Sequence, residues 1–419
     1  MESTESSFTL RKEKRMKVTV AIDSMKGSLG SVEAGEAIRR GILLADKSAE
    51  VRVCPIADGG EGTVEALTSG LGGNLEQVFV TGPLGAKITA RYGILPEDSG
   101  FNGNSLSEDE RTDLSRLSDT GGKTAVIEMA AAAGITLIGE SERNPLCTTT
   151  YGVGEMIRDA IKKGCRHFIV GIGGSATNDG GIGMLQALGF GLLDEKGNDV
   201  PFGAQGLKEL RTLQTEEVLP ELAECRFRVA CDVNNPLCGE NGCSAVFGPQ
   251  KGATPEMIEE MDRWLASFAE LAREIFPKAD PSAPGSGAAG GLGFAFRTFT
   301  NAVLESGIKI VLEETKLEDF IRDSDLVITG EGRLDSQTAM GKAPIGVAKI
   351  AKKYDIPVIA FAGAVAPDAG ICNAHGIDAF FPILRRVSTL EEAMEPEAAS
   401  RNLTDTAEQV MRLYLRARR

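Results

Sequence analysis

At 419 residues, 42% hydrophobic and 25% charged, the chain has the mix of an ordinary globular protein and exceeds the roughly 250–300 residues at which one core stops growing, so two domains are expected. Its 45 Lys and Arg against 60 Asp and Glu give a net charge of −15, which excludes a long-range pull on nucleic acid or an anionic membrane. An anionic substrate must therefore be captured locally, by backbone N–H groups, a few cations and a divalent metal ion.

Residues 1–15 are polar and mixed in charge and are expected to form a flexible tail. Lys17 to Ile22 is a β-rich run, followed by a polar loop from Asp23 to Gly30 and an apolar-periodic stretch from Ser31 to about Ala45, which predicts strand, loop and helix. Val51 to Cys54 and Glu61 to Leu71 repeat that unit. Ala86 to Leu95 alternates as a hairpin strand does, whereas 97–122 is polar and aperiodic, an exposed insertion.

Strands are then predicted over Thr124–Glu128, His167–Gly171 and Arg226–Cys231, with helices near Gly152–Lys163, Gly181–Leu188 and Met257–Phe276. Past Gly293 the α/β rhythm returns, with strands at Asp325–Thr329 and Pro357–Ala362, a helix at Pro344–Tyr354 and a terminal helical region from Leu390 to Arg416. The simplest topology joins 16–80 and 294–419 into one parallel-sheet domain and inserts 81–293 as a second α/β domain. A site is then expected in the cleft between them, at the carboxyl ends of the strands.

The eight cysteines lack CxxC spacing and there are two histidines, so neither a zinc site nor a disulfide framework is indicated. No run approaches the ~20 apolar residues of a membrane span, and the start lacks the apolar core of a secretory leader. Cytoplasm is the expected compartment, without nucleic-acid or membrane partners.

Chemistry is concentrated in glycine-rich segments that follow strands. In Gly171-Ile172-Gly173-Gly174-Ser175-Ala176-Thr177-Asn178-Asp179-Gly180-Gly181, Gly173 and Gly174 admit close approach of an anion, Ser175 and Thr177 add hydroxyls, and the helix start adds free N–H groups. Phosphate or carboxylate would suit it; the plainer alternative is a tight turn with Asn178 or Asp179 as a helix cap. Asp58-Gly59-Gly60-Glu61-Gly62-Thr63 repeats the pattern, with Asp58 and Glu61 as candidates for Mg²⁺ or as a capped helix start.

Thr329-Gly330-Glu331-Gly332-Arg333-Leu334-Asp335 adds a cation: Arg333 would clamp phosphate while Glu331 and Asp335 face metal, or the three form a surface ion pair. Asp23-Ser24-Met25-Lys26 places Lys26 where a phosphate favours it, a solvated loop lysine being the alternative. Asp232, in Cys231-Asp232-Val233-Asn234-Asn235-Pro236, is placed to take a proton from a substrate hydroxyl or to cap a turn. Lys251, in Phe247-Gly248-Pro249-Gln250-Lys251, is a further anion candidate, and Pro284 to Gly293 reads as a hinge or linker. No GxxxxGK[ST], protein-kinase loop or dinucleotide fingerprint is present.

Nine runs, DSMKGS, PIADGGEGTVEAL, VTGPLG, EMAAAAG, GIGGSATNDGG, ACDVNNPL, FGPQKGA, PGSGAAGGLG and VITGEGRLDSQT, appear in the order in which the class I glycerate kinase family (the bacterial glycerate 2-kinase type) carries them, and the chain resembles that family from about Met16 to its end. The resemblance implies a discontinuous flavodoxin- or Rossmann-like domain with a second α/β domain inserted. It also implies Mg²⁺-dependent transfer from ATP to D-glycerate, with 2-phosphoglycerate as product. Asp232, Asp179 and Lys26 are the catalytic candidates. Asp23, Ser24, Gly59, Gly60, Gly62, Thr63, Gly173, Gly174, Ser175, Thr177, Asn178, Lys251, Gly330, Gly332 and Arg333 are candidates for substrate and nucleotide. Asp58, Glu61, Glu331 and Asp335 are the metal candidates. Transfer to the 3-hydroxyl, a non-catalytic sugar-acid-binding protein and a homodimer stay open.

Overall fold

A computed structural model of the chain describes residues 15–97 and 121–418. The expected tail and insertion therefore lie, but for Arg15, Glu97, Gly121 and Gly122, outside the described residues. In chain order the strands are β1 (Lys17–Val20), β2 (Glu50–Val53), β3 (Asn74–Thr81), β4 (Lys87–Leu95), β5 (Lys123–Glu128), β6 (Cys165–Gly171), β7 (Gly191–Leu193), β8 (Thr212–Gln214), β9 (Arg226–Ala230), β10 (Ala302–Glu305), β11 (Leu326–Leu334), β12 (Val358–Val365) and β13 (Ala379–Pro382).

Five of them form a wholly parallel sheet in the order β2-β1-β11-β12-β13. Counted along that sheet's own strands this is the 2-1-3-4-5 order of flavodoxin-like folds, whose direction of winding reverses between β1 and its third strand, here β11. The second sheet runs β10-β9-β6-β5-β4-β3. It is parallel from β10 to β5, and antiparallel where β3 and β4 make the expected hairpin.

Side-chain alternation builds the layers. On β1, Val18 and Val20 face a core shared with helices Ser31–Ala45 and Pro396–Ala417, while Ala21 just beyond faces the opposite core. On β12, Ile359 and Phe361 point one way and Val358, Ala360 and Ala362 the other. In the six-stranded sheet Phe168 and Val170 of β6 enter a large separate core with helix Pro255–Ile275. Ile169 and Val126, on the other face, join the core that holds helices Thr63–Gly70 and Gly307–Glu314. Those two helices thus form one layer between the sheets, and the two units share apolar packing.

Sheet membership departs from the expected boundaries. β3 pairs along its whole length with β4, and β10 pairs with β9, so the chain leaves the parallel sheet between Gly70 and Asn74 rather than at 80. It returns between Glu305 and Leu326 rather than at 293. Long-range pairing partners decide this, and local pattern does not carry them. The glycine run from Pro284 to Gly293 is likewise no free linker: Gly287, Gly290, Gly291 and Gly293 pack against other backbone, and helix Ala288–Phe299 begins inside the run. Among the described residues no helix is long and apolar enough to cross a membrane.

Candidate active site

The winding reversal between β1 and β11 opens a crevice at the carboxyl ends of those strands, where the loop after β1 carries Asp23 to Gly30. Asp23 is 2% exposed; its N–H donates to the Gly330 carbonyl (3.0 Å), and its carboxylate accepts from the Ser24 N–H (2.7 Å). Burial, reinforced by the nearby Asp58 carboxylate, pushes Asp23 up to about 7, against the pull of Lys26. The Lys26 ammonium donates to Asp58 Oδ2 at 2.8 Å. Burial works against both charges, yet that bond holds Lys26 above and Asp58 below their ordinary values. Asp58 Oδ1 in turn accepts from the Gly60 N–H (3.1 Å).

Gly59 lets the two sheets meet. Its φ is +89°, and a Cβ there would lie 2.6 Å from Gly307 Cα and 2.8 Å from Ala230 Cβ, so a side chain is strained and blocked together. The turn after β2 is thereby pressed onto the end of β9 and the start of helix Gly307–Glu314. Just past β9, Asp232 accepts from the Gly307 N–H (3.2 Å). Asp232 is exposed, yet partial loss of solvent raises its carboxyl above its ordinary value despite the bonds from Ser306 and Gly307.

The loop after β6 lines the facing wall. Its Gly174 carbonyl accepts from the Ile135 N–H (2.9 Å) and its Ala176 N–H donates to the Ala133 carbonyl (2.9 Å). That ladder leaves the N–H groups of Gly173, Gly174 and Ser175 without a protein acceptor among the described residues. Consecutive unpaired N–H groups of this kind make an anion-binding concavity. Beside them Lys251, 2% exposed, donates to Ser175 Oγ (2.8 Å) and to the Thr177 carbonyl (2.6 Å).

Three hollows share Lys26 as a wall. One of about 440 Å³ is bordered by Asp58, Gly59, Gly60, Gly173, Gly174, Ser175, Asp232 and Lys251. A second, about 410 Å³, takes in Ser24, Glu61, Gly62 and Glu128. The third, about 290 Å³, is bordered by Glu331, Gly332, Arg333, Asp335 and Lys342. Most of the expected loops therefore converge on one crevice.

Several expected residues do not reach it. Asp179 is fully buried and accepts from Thr150 N–H and Oγ1 (2.8 Å each), Gly181 N–H (3.1 Å) and Gly183 N–H (3.4 Å). Burial keeps it above its ordinary value, those bonds partly offsetting the rise. It borders none of the three hollows, and its carboxylate is spent on holding its own loop. Asn178 is buried, with its amide donating to Ser244 Oγ (2.8 Å), and Thr177 offers the site its carbonyl alone, to Lys251.

Thr63 Oγ1 donates to the Gly60 carbonyl (2.7 Å), a turn contact. Gly330 packs under the Phe361 carbonyl. The segment Gly330 to Leu334, expected as a loop, is the end of β11, paired with β12 through Gly330↔Phe361 and Arg333↔Ala364. Asp335 caps a short helix, accepting from Gln337 N–H (3.0 Å). Arg333 is exposed, 3.5 Å from Asp335.

Sequence reasoning passed over Glu128 as a site residue. Its Oε1 accepts from the Val64 N–H (2.9 Å), so the last residue of β5 seals the start of helix Thr63–Gly70 across the two units. Burial raises it. Its signal was a lone acid closing the apolar run Lys123–Glu128. Arg228 was also missed: on β9 it binds Glu305 (2.8 and 3.1 Å), Glu314 (2.7 Å) and Glu313 (2.6 Å), tying helix Gly307–Glu314 to the strand that leads to Asp232.

The chain is similar to known proteins along nearly its whole length. The profile described as "Glycerate kinase family" matches residues 18–415. The chain is 46% identical over 396 residues to a glycerate 2-kinase of Escherichia coli K12, covering 93% of this chain and 98% of that protein. It is 45% identical over 383 residues to a glycerate kinase of Bacillus subtilis 168, covering 91% and 94%. A crystal structure of a candidate glycerate kinase 2 from Salmonella typhimurium LT2 superposes with a TM-score of 0.82 at 46% identity, covering 96% of this chain and 99% of that one. With an ordered set of strand-end loops, a crevice they share and a match over nearly its whole length, this chain belongs to the glycerate kinase family.

Proposed function

We propose that the protein transfers the γ-phosphoryl group of ATP to the 2-hydroxyl of D-glycerate, giving 2-phosphoglycerate and ADP. One observation carries this reading: cations, acids and unpaired N–H groups from separate strand ends of both sheets meet around Lys26 in a single crevice. Phosphoryl transfer needs positioning and charge compensation more than covalent chemistry from the protein, and that is the inventory present.

In this reading the glycerate hydroxyl oxygen attacks the γ-phosphorus as the bond to the bridging oxygen breaks, and ADP leaves. The hydroxyl proton passes to Asp232, an exposed carboxylate at the crevice whose raised proton affinity suits a base. Lys26 faces the transferring group. Among the described residues no cluster of three His, Cys, Asp or Glu side chains is spaced to cage a metal ion alone. Mg²⁺ is commonly bound by one or two carboxylates with phosphate oxygens completing the shell.

Asp58, with Asp23 and Glu331 near it, fits that demand, since Asp58 and Glu331 both raise the proton affinity of buried Asp23 and a cation would relieve the crowding. Mg²⁺ entering with ATP would neutralise charge on the phosphates. Glu61 stands at the other mouth, and Asp335 is engaged with its helix. The test is to incubate the protein with ATP, Mg²⁺ and D-glycerate and identify the phosphoglycerate by NMR. The 2-isomer is expected; the 3-isomer would overturn the regiochemistry, and absence of turnover the kinase reading.

A further inference from the structure

Lys251 is an unusual cation. It is 2% exposed, on the short turn Pro249–Lys251 of the inserted unit, and among the described residues it forms no ion pair. Its two protein acceptors, Ser175 Oγ and the Thr177 carbonyl, are neutral. An ammonium carries three N–H donors, so one is left unspent at a side chain that borders the 440 Å³ hollow. A buried charge without a counter-ion is costly, and an anion arriving from that hollow would remove the cost. The N–H groups of Gly173, Gly174 and Ser175, without a protein acceptor among the described residues, belong to residues that border the same hollow and would take the anion's remaining lone pairs.

Resting on the phosphotransfer reading above, we propose that Lys251 with the Gly173–Ser175 amides is the acceptor-acid recognition site. It binds the substrate's carboxylate, so that a small hydroxy acid is accepted and the neutral polyol or amide of the same shape is refused. Charge count separates this wall from the opposite one. The Lys251 wall offers one cation and neutral donors, the complement of a singly charged planar carboxylate. The Lys26 wall gathers Lys26, Lys342 and Arg333 with Asp58, Asp23 and Glu331, the mixture suited to a polyphosphate with a divalent cation.

A carboxylate anchored at Lys251 presents its α-carbon first to the hollow that Asp232 also borders, which favours the 2-hydroxyl as acceptor. The apolar side chains of Ile135, Ile172 and Phe247 around that hollow limit water there and strengthen the ionic contact.

Burial already pushes Lys251 down to about 8, against the pull of Cys243 and Asp179. Asp179 is spent on four bonds, and burial pushes the Cys243 thiol up to about 11, so neither replaces a counter-ion in contact. A protonated Lys251 is required for the acid, so D-glycerate affinity is expected to fall as pH rises through about 8. Nucleotide affinity on the other wall should not follow it.

The experiment measures calorimetric affinities of D-glycerate, D-glyceramide and a non-hydrolysable ATP analogue with Mg²⁺, for the wild-type protein and for Lys251→Met. Expected are a loss of about ten- to a hundred-fold for D-glycerate in the variant, the worth of one charge-assisted bond, a similar wild-type preference for acid over amide that disappears in the variant, and unchanged nucleotide affinity. Loss of nucleotide affinity with glycerate binding intact would overturn the proposal and make Lys251 a phosphate ligand. Equal wild-type affinity for acid and amide would overturn it too, without needing any variant to fold. If D-glycerate binds as expected but is never phosphorylated, the kinase reading fails while the recognition site stands.

Discussion

Replacing Arg228 by Met removes the one guanidinium that binds Glu305, Glu313 and Glu314. Arg228, Glu305 and Glu314 are 2%, 8% and 5% exposed, so the variant leaves two buried carboxylates near each other, with Lys309 (2.9 Å from Glu305) as the one remaining cation in an ion pair with them among the described residues. Removing one partner of a buried ion pair costs about 3–5 kcal/mol, which sets the expected loss near neutral pH.

The loss should also depend on pH. Even beside Arg228, burial raises Glu314; without it, Glu314 rises further above the ~4.3 of an unfolded glutamate, and Glu305, whose burial is outweighed by Arg228 and Lys309 so that it sits below its ordinary value, loses the larger part of that hold. The folded variant then binds more protons than its unfolded chain, so its stability falls as pH rises above that value, by up to about 1.4 kcal/mol per unit for each extra proton held. Trp264, the sole tryptophan, packs against the core of the six-stranded unit, so its emission follows guanidinium unfolding there. Curves at about pH 5 and pH 8 should show the variant partly rescued by acid. A variant within about 1 kcal/mol of wild type at both pH values would refute the view that this cluster depends on its cation.

Asp232→Asn should lower turnover by about a hundred-fold or more, the usual worth of a general base, with ATP affinity intact; near-wild-type turnover would remove the base role. Asp179→Asn presents an amide to four N–H and hydroxyl donors, and should destabilise the six-stranded unit by about 1–3 kcal/mol while the folded fraction keeps wild-type kcat. A kcat collapse in fully folded Asp179→Asn protein would restore Asp179 to the chemistry. Denaturation monitored at Trp264, paired with steady-state kinetics, separates the two outcomes.

Much of the architecture was legible in the chain because its signals are local. Strand, polar loop and helix recur wherever an apolar run meets Gly, Asp and Ser, and β1, β5, β6, β9 and β12 stand close to where periodicity placed them. The order of nine motifs likewise carried the family. Local pattern failed where a residue's role depends on what lies across from it. Thr329 to Arg333 reads as a glycine loop, yet pairing with β12 makes it strand.

Asp179 and Asp232 look alike in sequence, each an acid in the loop that follows a strand. Tertiary packing sends Asp179 beneath its own loop to meet Thr150, and leaves Asp232 at the crevice with one backbone donor. Lys251 could be any loop lysine until helix and turn close over it. Residue types and strand-end positions thus belonged to the sequence by itself. The division of labour among the acids and lysines was decided by the fold, because burial and the identity of the nearest donor are long-range properties, and they determine which charges remain unspent for a substrate.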